Sequence, residues 1–310
     1  MRDFSSDTWA VVLGGSSGIG LAITDKVARH GMSVCVVHRD RRGAMPRIQP
    51  HFDRIAARGA GFVAYNLDAL SLEGRATVLD GLEARLGEAG RVRLLVHSIA
   101  FASLRLLAPA PPSTAAGSRA ALARALGVDA ERLADVAVEL FAAGDPAFAS
   151  LVDGPAYGEA LLEEEDLGRT VHAMGTSLVG WVQALHERRL FAADARVIGL
   201  TSEGNRAAWR GYAAAAAAKA ALEAAARAIA VEFAPWGIRC NIVQPGVTRT
   251  PALSLIPGHE QIIAGALRRN PSGRLTTPED VAALVCLLAT DEAAWVSGAV
   301  VACDGGEHLG

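Results

Sequence analysis

An α/β fold is what this sequence predicts: a doubly wound parallel sheet with helices on both faces, residues 1–310 forming a single domain. Strand-length apolar runs alternate with segments of helical spacing along most of the chain, the trace that βαβ units leave in sequence. The first such run leads at once into a glycine-rich turn that opens a helix, Gly14-Gly15-Ser16-Ser17-Gly18-Ile19-Gly20. With 51% apolar residues among 310, the chain can bury a sizeable core.

Bulk properties exclude several classes. A net charge of −3 argues against a general nucleic-acid binder. The start, MRDFSSDTWAVVLGG, has no basic stretch leading into an apolar run, so no secretory leader is expected. No stretch of about 20 uncharged apolar residues reads as a membrane span. Cys35, Cys240, Cys286 and Cys303 are widely spaced, without a CxxC or a zinc pattern, and are expected reduced and packed. The expectation is a cytoplasmic protein without metal, membrane or nucleic-acid contacts.

Residues 9–13 read as the first strand. Helical periodicity follows through Leu21, Ile23, Val27 and Ala28, and 33–38 reads as a second strand. In that context the glycine turn is Rossmann-type and cradles a dinucleotide phosphate on the helix N-terminus. Gly14 permits the tight turn, Gly18 lets backbone approach the pyrophosphate, and Gly20 lets helix and strand pack closely. Ser16, Ser17 and Ile19 complete the cradle. The second strand ends His38-Arg39-Asp40-Arg41-Arg42, where an NAD-binding chain usually carries a carboxylate. Arg39 has the position and charge to meet a 2′-phosphate, with Arg42 or Arg41 as second contact, so NADPH is favoured over NADH. Asp40 dissents, unless it is an ordinary helix cap.

Residues 61–66 read as a third strand ending on Asn66, whose amide has the chemistry to bond the adenine edge, with Leu67 beside it. Asp68 suits a cap for the helix through Val78, Leu82 and Leu86. A fourth strand at 93–96 runs into His97-Ser98-Ile99-Ala100-Phe101. Ligands bind beyond the carboxyl ends of an open parallel sheet, which puts Ser98, Ile99 and Ala100 at the cofactor. From 103 to 164 the pattern breaks. Pro109-Ala110-Pro111-Pro112 and Gly144-Asp145-Pro146 punctuate two short helices, 119–126 and 131–142, the second capped by Asp129. This mainly helical insertion near the site is a substrate lid, an oligomer or partner contact, or a neutral excursion. Helical spacing returns at 167–184, and a fifth strand at 195–201 delivers Ser202. A sixth at 237–243 ends in Gln244-Pro245-Gly246-Val247-Thr248-Arg249-Thr250. An apolar segment at 252–267, a helix at 278–289 and a strand at 299–303 complete the chain.

Between the fifth and sixth strands lies Tyr212-Ala-Ala-Ala-Ala-Ala-Ala-Lys219. Six alanines favour helix strongly, and seven positions put the phenol and the ammonium on one face about 10 Å apart along the axis. Alone, that is equally a solvated surface helix.

The assembled blocks resemble the short-chain dehydrogenase/reductase family: the glycine turn, the turn at 97–100, the Tyr/Lys helix and Pro245-Gly246 with its threonines. Coverage is nearly the whole chain except the insertion. The main branch of that family has Tyr four residues before Lys, where this chain has Ala215, and an active-site Asn that falls near Met174. Tyr-x6-Lys with His97-Ser98-Ile99-Ala100-Phe101 resembles the divergent branch, the enoyl-acyl-carrier-protein reductases, and within it a smaller NADPH-preferring group. Moving Tyr from four to seven residues before Lys shifts the phenol by about 4.5 Å along the helix, in the direction a conjugated acceptor demands.

The resemblance implies NADPH-dependent reduction of a trans-2-enoyl thioester, carried on acyl carrier protein or coenzyme A, by a homotetramer or homodimer. Tyr212 then stabilises the enolate oxygen, Lys219 holds the nicotinamide ribose, and Ser202 either shares the oxygen or caps a helix. Pro245, Gly246, Val247 and Thr250 are expected on the nicotinamide carboxamide and phosphates. A carbonyl reductase of 3-oxoacyl or polyketide substrates, and a non-catalytic NADP-binding regulator, are the alternatives.

Overall fold

A computed structural model of the chain describes residues 4–110, 113–143 and 145–310. Its centre is a seven-stranded, all-parallel sheet in the order β3-β2-β1-β4-β5-β6-β7. The strands are β1 (Thr8–Leu13), β2 (Ser33–His38), β3 (Phe62–Asn66), β4 (Arg91–His97), β5 (Phe191–Leu200), β6 (Arg239–Pro245) and β7 (Val300–Cys303). The apolar runs are continuous because both faces are covered. Trp9, Val11 and Leu13 of β1 enter one core and Ala10 and Val12 the other, as the two-residue alternation of a strand requires.

Helices α1 (Gly18–Arg29), α2 (Met45–Ala56) and α10 (Pro278–Leu288) cover one face, burying Ile23, Phe52 and Val285. On the other lie α3 (Leu72–Leu86), α7 (Ser177–Glu187) and α8 (Ala213–Glu232), with Leu82, Trp181 and Leu222 in the core. The sequence reading overlooked α2. Its apolar residues Ile48, Phe52 and Ile55 keep helical spacing, but Pro46 and Pro50 disguised them.

The insertion contains α4 (Ala115–Leu126) and α5 (Ala130–Ala142), the latter capped by Asp129, whose side chain accepts from the Arg132 amide. Pro111, Pro112 and Gly144, part of the expected breaks, lie outside the described residues. Glu164, Glu165 and Asp166 form the first turn of α6 (Glu164–Val171), carboxylates on a helix N-terminus. A π-helical segment, His172–Thr176, joins α6 to α7. The last excursion, α9 (His259–Arg269), packs against α5. Among the described residues no helix is long and apolar enough to cross a membrane. All four cysteines are unbridged, and burial pushes the Cys35 and Cys240 thiols up to about 12.

Candidate active site

The strand order reverses between β1 and β4, and there a groove of about 510 Å³ opens along the carboxyl ends of the strands, where such sheets bind ligands. Its floor is the glycine turn. Gly14 has φ +82°, and a Cβ there would meet the Ser98 carbonyl oxygen at 2.5 Å. A Cβ on Gly20 would meet the Gly14 carbonyl oxygen at 2.1 Å, so Gly20 acts behind the turn by letting α1 pack on it. Gly14, Ser16, Ser17, Gly18 and Ile19 line the groove. Ser17 caps α1 by position only, without a side-chain bond, and no acid stands in the first helical turn. The amides at this helix start are therefore suited to a phosphate. The cradle fits a dinucleotide.

At the far end of the groove Arg39 is held on two sides. Its guanidinium donates to Asp68 Oδ2 at 2.9 Å and lies 5.4 Å from the centroid of the Phe101 ring. Asp68 also accepts from the Leu70 amide, whereas the cap of α3 is Ser71, so the expected cap is corrected by one turn. Asp40 is no cap either; its carboxylate pairs with His38 Nδ1 at 2.9 Å. Asn66 is not in the groove lining, because its amide donates to the Asp40 carbonyl oxygen and its oxygen accepts from the Asp40 amide, both at 3.0 Å. The Asp40 backbone thus engages both groups of that amide. Leu67, Ser98, Ile99 and Ala100 do line the groove; Arg41 and Arg42 do not.

At the other end stand Tyr212, Ser202 and Lys219, all lining the same groove. Tyr212 occupies the N-cap position of α8, so the rod of helix begins one residue later than its spacing suggested. Its hydroxyl is 3.2 Å from Ser202 Oγ. Ser202 precedes the short 3₁₀ turn Glu203–Asn205 but makes no capping bond. Burial raises the Tyr212 phenol above its ordinary value, against a smaller lowering by the Ser202 bond, so the phenol is a proton donor at neutral pH. Lys219 is buried, its Nζ donates to the Leu200 carbonyl oxygen at 2.7 Å, and burial brings its ammonium down to about 8. His97 is fully buried, its Nε2 2.9 Å from Ser177 Oγ; burial and then the Lys219 charge pull it to about 3. It is neutral at pH 7.

Beside Tyr212 the groove meets a mainly apolar cavity of about 250 Å³, lined by Phe101, Leu104, Met174, Trp209, Ala215, Val247, Leu253 and Ile262 among others. Pro245 and Thr250 border both spaces, whereas Gly246 and Val247 face the cavity alone. The Val247 amide donates to Glu307 Oε2 at 3.0 Å. Glu307 also meets Arg269, which pairs in turn with Glu203 at 3.0 Å. Sequence reasoning missed Glu203, Glu307 and Trp209. Trp209 stacks edge-on to Tyr212 with centroids 5.4 Å apart; an aromatic three residues before the key tyrosine was the available signal. Met174 sits in the π segment and borders both spaces, a common place for such segments.

A sequence-family model described as Enoyl-(Acyl carrier protein) reductase matches residues 147–308. Cis-4-hydroxycyclohexanecarboxylate dehydrogenase of Sinomonas cyclohexanicum is 43% identical over 90 residues, 29% of this chain and 35% of that protein. The short-chain reductase protein NovJ of Streptomyces niveus is 26% identical over 312 residues, 97% of this chain and 94% of the other. The crystal structure of enoyl-[acyl-carrier-protein] reductase (NADH) from Aquifex aeolicus VF5 superposes with a TM-score of 0.71 at 20% identity, over 98% of this chain and 97% of that one. At that identity the likeness speaks for the fold alone. The chain spans between 35% and 42% of the length of the first curated relatives it matches.

Proposed function

Since the chain belongs to the short-chain dehydrogenase/reductase superfamily, we propose that it reduces the carbon–carbon double bond of a trans-2-enoyl thioester with NADPH. The observation that carries this reading is at α8. Ala215, where the main branch has its tyrosine, is a buried methyl in the cavity wall. The phenol comes instead from Tyr212, against Ser202, at the junction of groove and cavity.

The coenzyme, when bound, supplies the hydride. The glycine turn holds its phosphates, and Arg39 is the guanidinium available to a 2′-phosphate once Asp68 releases it. Hydride arriving at the β-carbon of the thioester sends negative charge to the thioester oxygen. Tyr212 donates a hydrogen bond to that oxygen, with Ser202 Oγ beside it, and the α-carbon then takes its proton from solvent water, which completes the addition of hydride and proton across the double bond. Lys219 has two N–H donors beyond its bond to Leu200, enough for two ribose hydroxyls. The apolar cavity receives the acyl chain. The proposal includes acyl carrier protein or coenzyme A as carrier, a homotetramer or homodimer, and a cytoplasmic setting, which the unbridged thiols favour.

Carbonyl reduction of a 3-oxoacyl or polyketide substrate is the second reading, favoured by the Ser202–Tyr212 pair. NADPH oxidation with crotonyl thioester against acetoacetyl thioester separates them: the enoyl substrate is turned over, and turnover of the keto substrate alone refutes the proposal. Tyr212→Phe lowers kcat on the enoyl substrate by about 100-fold; undiminished activity removes Tyr212 from the mechanism.

A further inference from the structure

A buried carboxylate that the mechanism does not use stands one helical turn after Lys219. Glu223 is 8% exposed, and among the described residues no cation pairs with it. Burying a charge in that way is costly unless hydrogen bonds satisfy it. Its Oε1 accepts from Thr201 Oγ1 at 2.7 Å and from the Asn205 side-chain amide. Those two residues flank Ser202. Thr201 is tied to β6 through its amide, which donates to the Val243 carbonyl oxygen. Asn205 ends the 3₁₀ turn that follows Ser202. The same turn abuts the phenol: a Cβ on Gly204 would lie 2.3 Å from Tyr212 Cε1.

We propose that Glu223 is a positioning residue that clamps the segment 201–205 to α8 and thereby holds Ser202 on the Tyr212 hydroxyl. Tyr212 is the N-cap of α8 and Glu223 lies within the helix, so one element presents the phenol and anchors its hydroxyl partner. A carboxylate suits the task because a single oxygen can accept from a hydroxyl and an amide together. The inference rests on Tyr212 and Ser202 being the pair that meets the substrate oxygen, in either reduction.

The test is a mutant cycle in the full chain with Ser202→Ala, Glu223→Ala and the double variant. Wild-type turnover of crotonyl or acetoacetyl thioester tests the functional reading separately, and the cycle is run on whichever substrate reacts. Glu223→Ala is expected to lower kcat about 10-fold with KM and the Kd for NADPH unchanged, and the double variant to be no slower than Ser202→Ala. Glu223→Gln, which keeps one acceptor oxygen, recovers most of the lost kcat. Additive losses overturn the proposal, as does a loss that only tracks the folded fraction. Thr201→Val, which removes one of the two bonds, replaces Glu223→Ala if that variant does not fold. If neither thioester reacts, ultraviolet titration of Tyr212 against a Tyr212→Phe blank reads the same geometry. Ser202→Ala and Glu223→Ala must then raise the phenol midpoint equally and without addition; an unmoved midpoint in Glu223→Ala overturns the proposal.

Discussion

Lys219 is a buried ammonium with a single hydrogen-bond partner, the Leu200 carbonyl oxygen. One carbonyl bond does not replace the water lost on burial, so the ammonium titrates at about 8 rather than 10.5. Between about 8 and 10.5 the unfolded chain binds a proton that the folded chain does not, so this group makes stability rise with pH across that window. Below about 8 both states carry the charge, and the burial penalty is fully present. Coenzyme-free protein unfolded by urea at pH 8 and pH 9.5 should gain on the order of 2 kcal/mol from this residue. Lys219→Met should lack that gain; an equal rise in both proteins refutes the assignment. The affinity for NADPH should fall over the same range, as the donor charge disappears.

At the scale of elements, the glycine turn and α1 form one unit whose spacing leaves no slack. Gly20→Ala would drive a methyl onto the Gly14 carbonyl oxygen, which is backbone and cannot rotate away. The expected cost is about 1–3 kcal/mol of stability, together with loss of NADPH binding, measurable by thermal melting and fluorescence titration. A variant with full affinity would show that the turn is not the phosphate cradle. This unit was legible in sequence because strand, turn and helix are contiguous and each has its own periodicity. α2 was not, since two prolines masked an apolar stripe that only packing under β2 and β3 makes decisive. The π segment bearing Met174 was also invisible, because its register is set by packing on α8.

At the scale of the whole molecule, the insertion reaches back to the site. The Tyr157 hydroxyl donates to the Arg210 carbonyl oxygen at 2.9 Å. Its ring leaves no room for a Cβ at Gly211, which would lie 2.7 Å from Cε1. The segment so braced carries Trp209 and Tyr212. Tyr157→Ala should therefore raise KM for the thioester about tenfold while leaving the Kd for NADPH unchanged. An unchanged KM would make the insertion an excursion with no part in substrate binding.

The parallel sheet, the dinucleotide turn and the Tyr212–Lys219 spacing are legible in the order of residues, because each is written in residues close together along the chain. Which polar groups remain free to act is set by contacts between distant parts of the chain. Asp68 takes Arg39 across 29 positions, Asp40 takes the Asn66 amide across 26, and Glu307 takes the Val247 amide across 60. Glu223 reaches Thr201 across 22. Hydrogen-bonding capacity is a property of a residue, but whether it is spent depends on neighbours that the fold alone brings together.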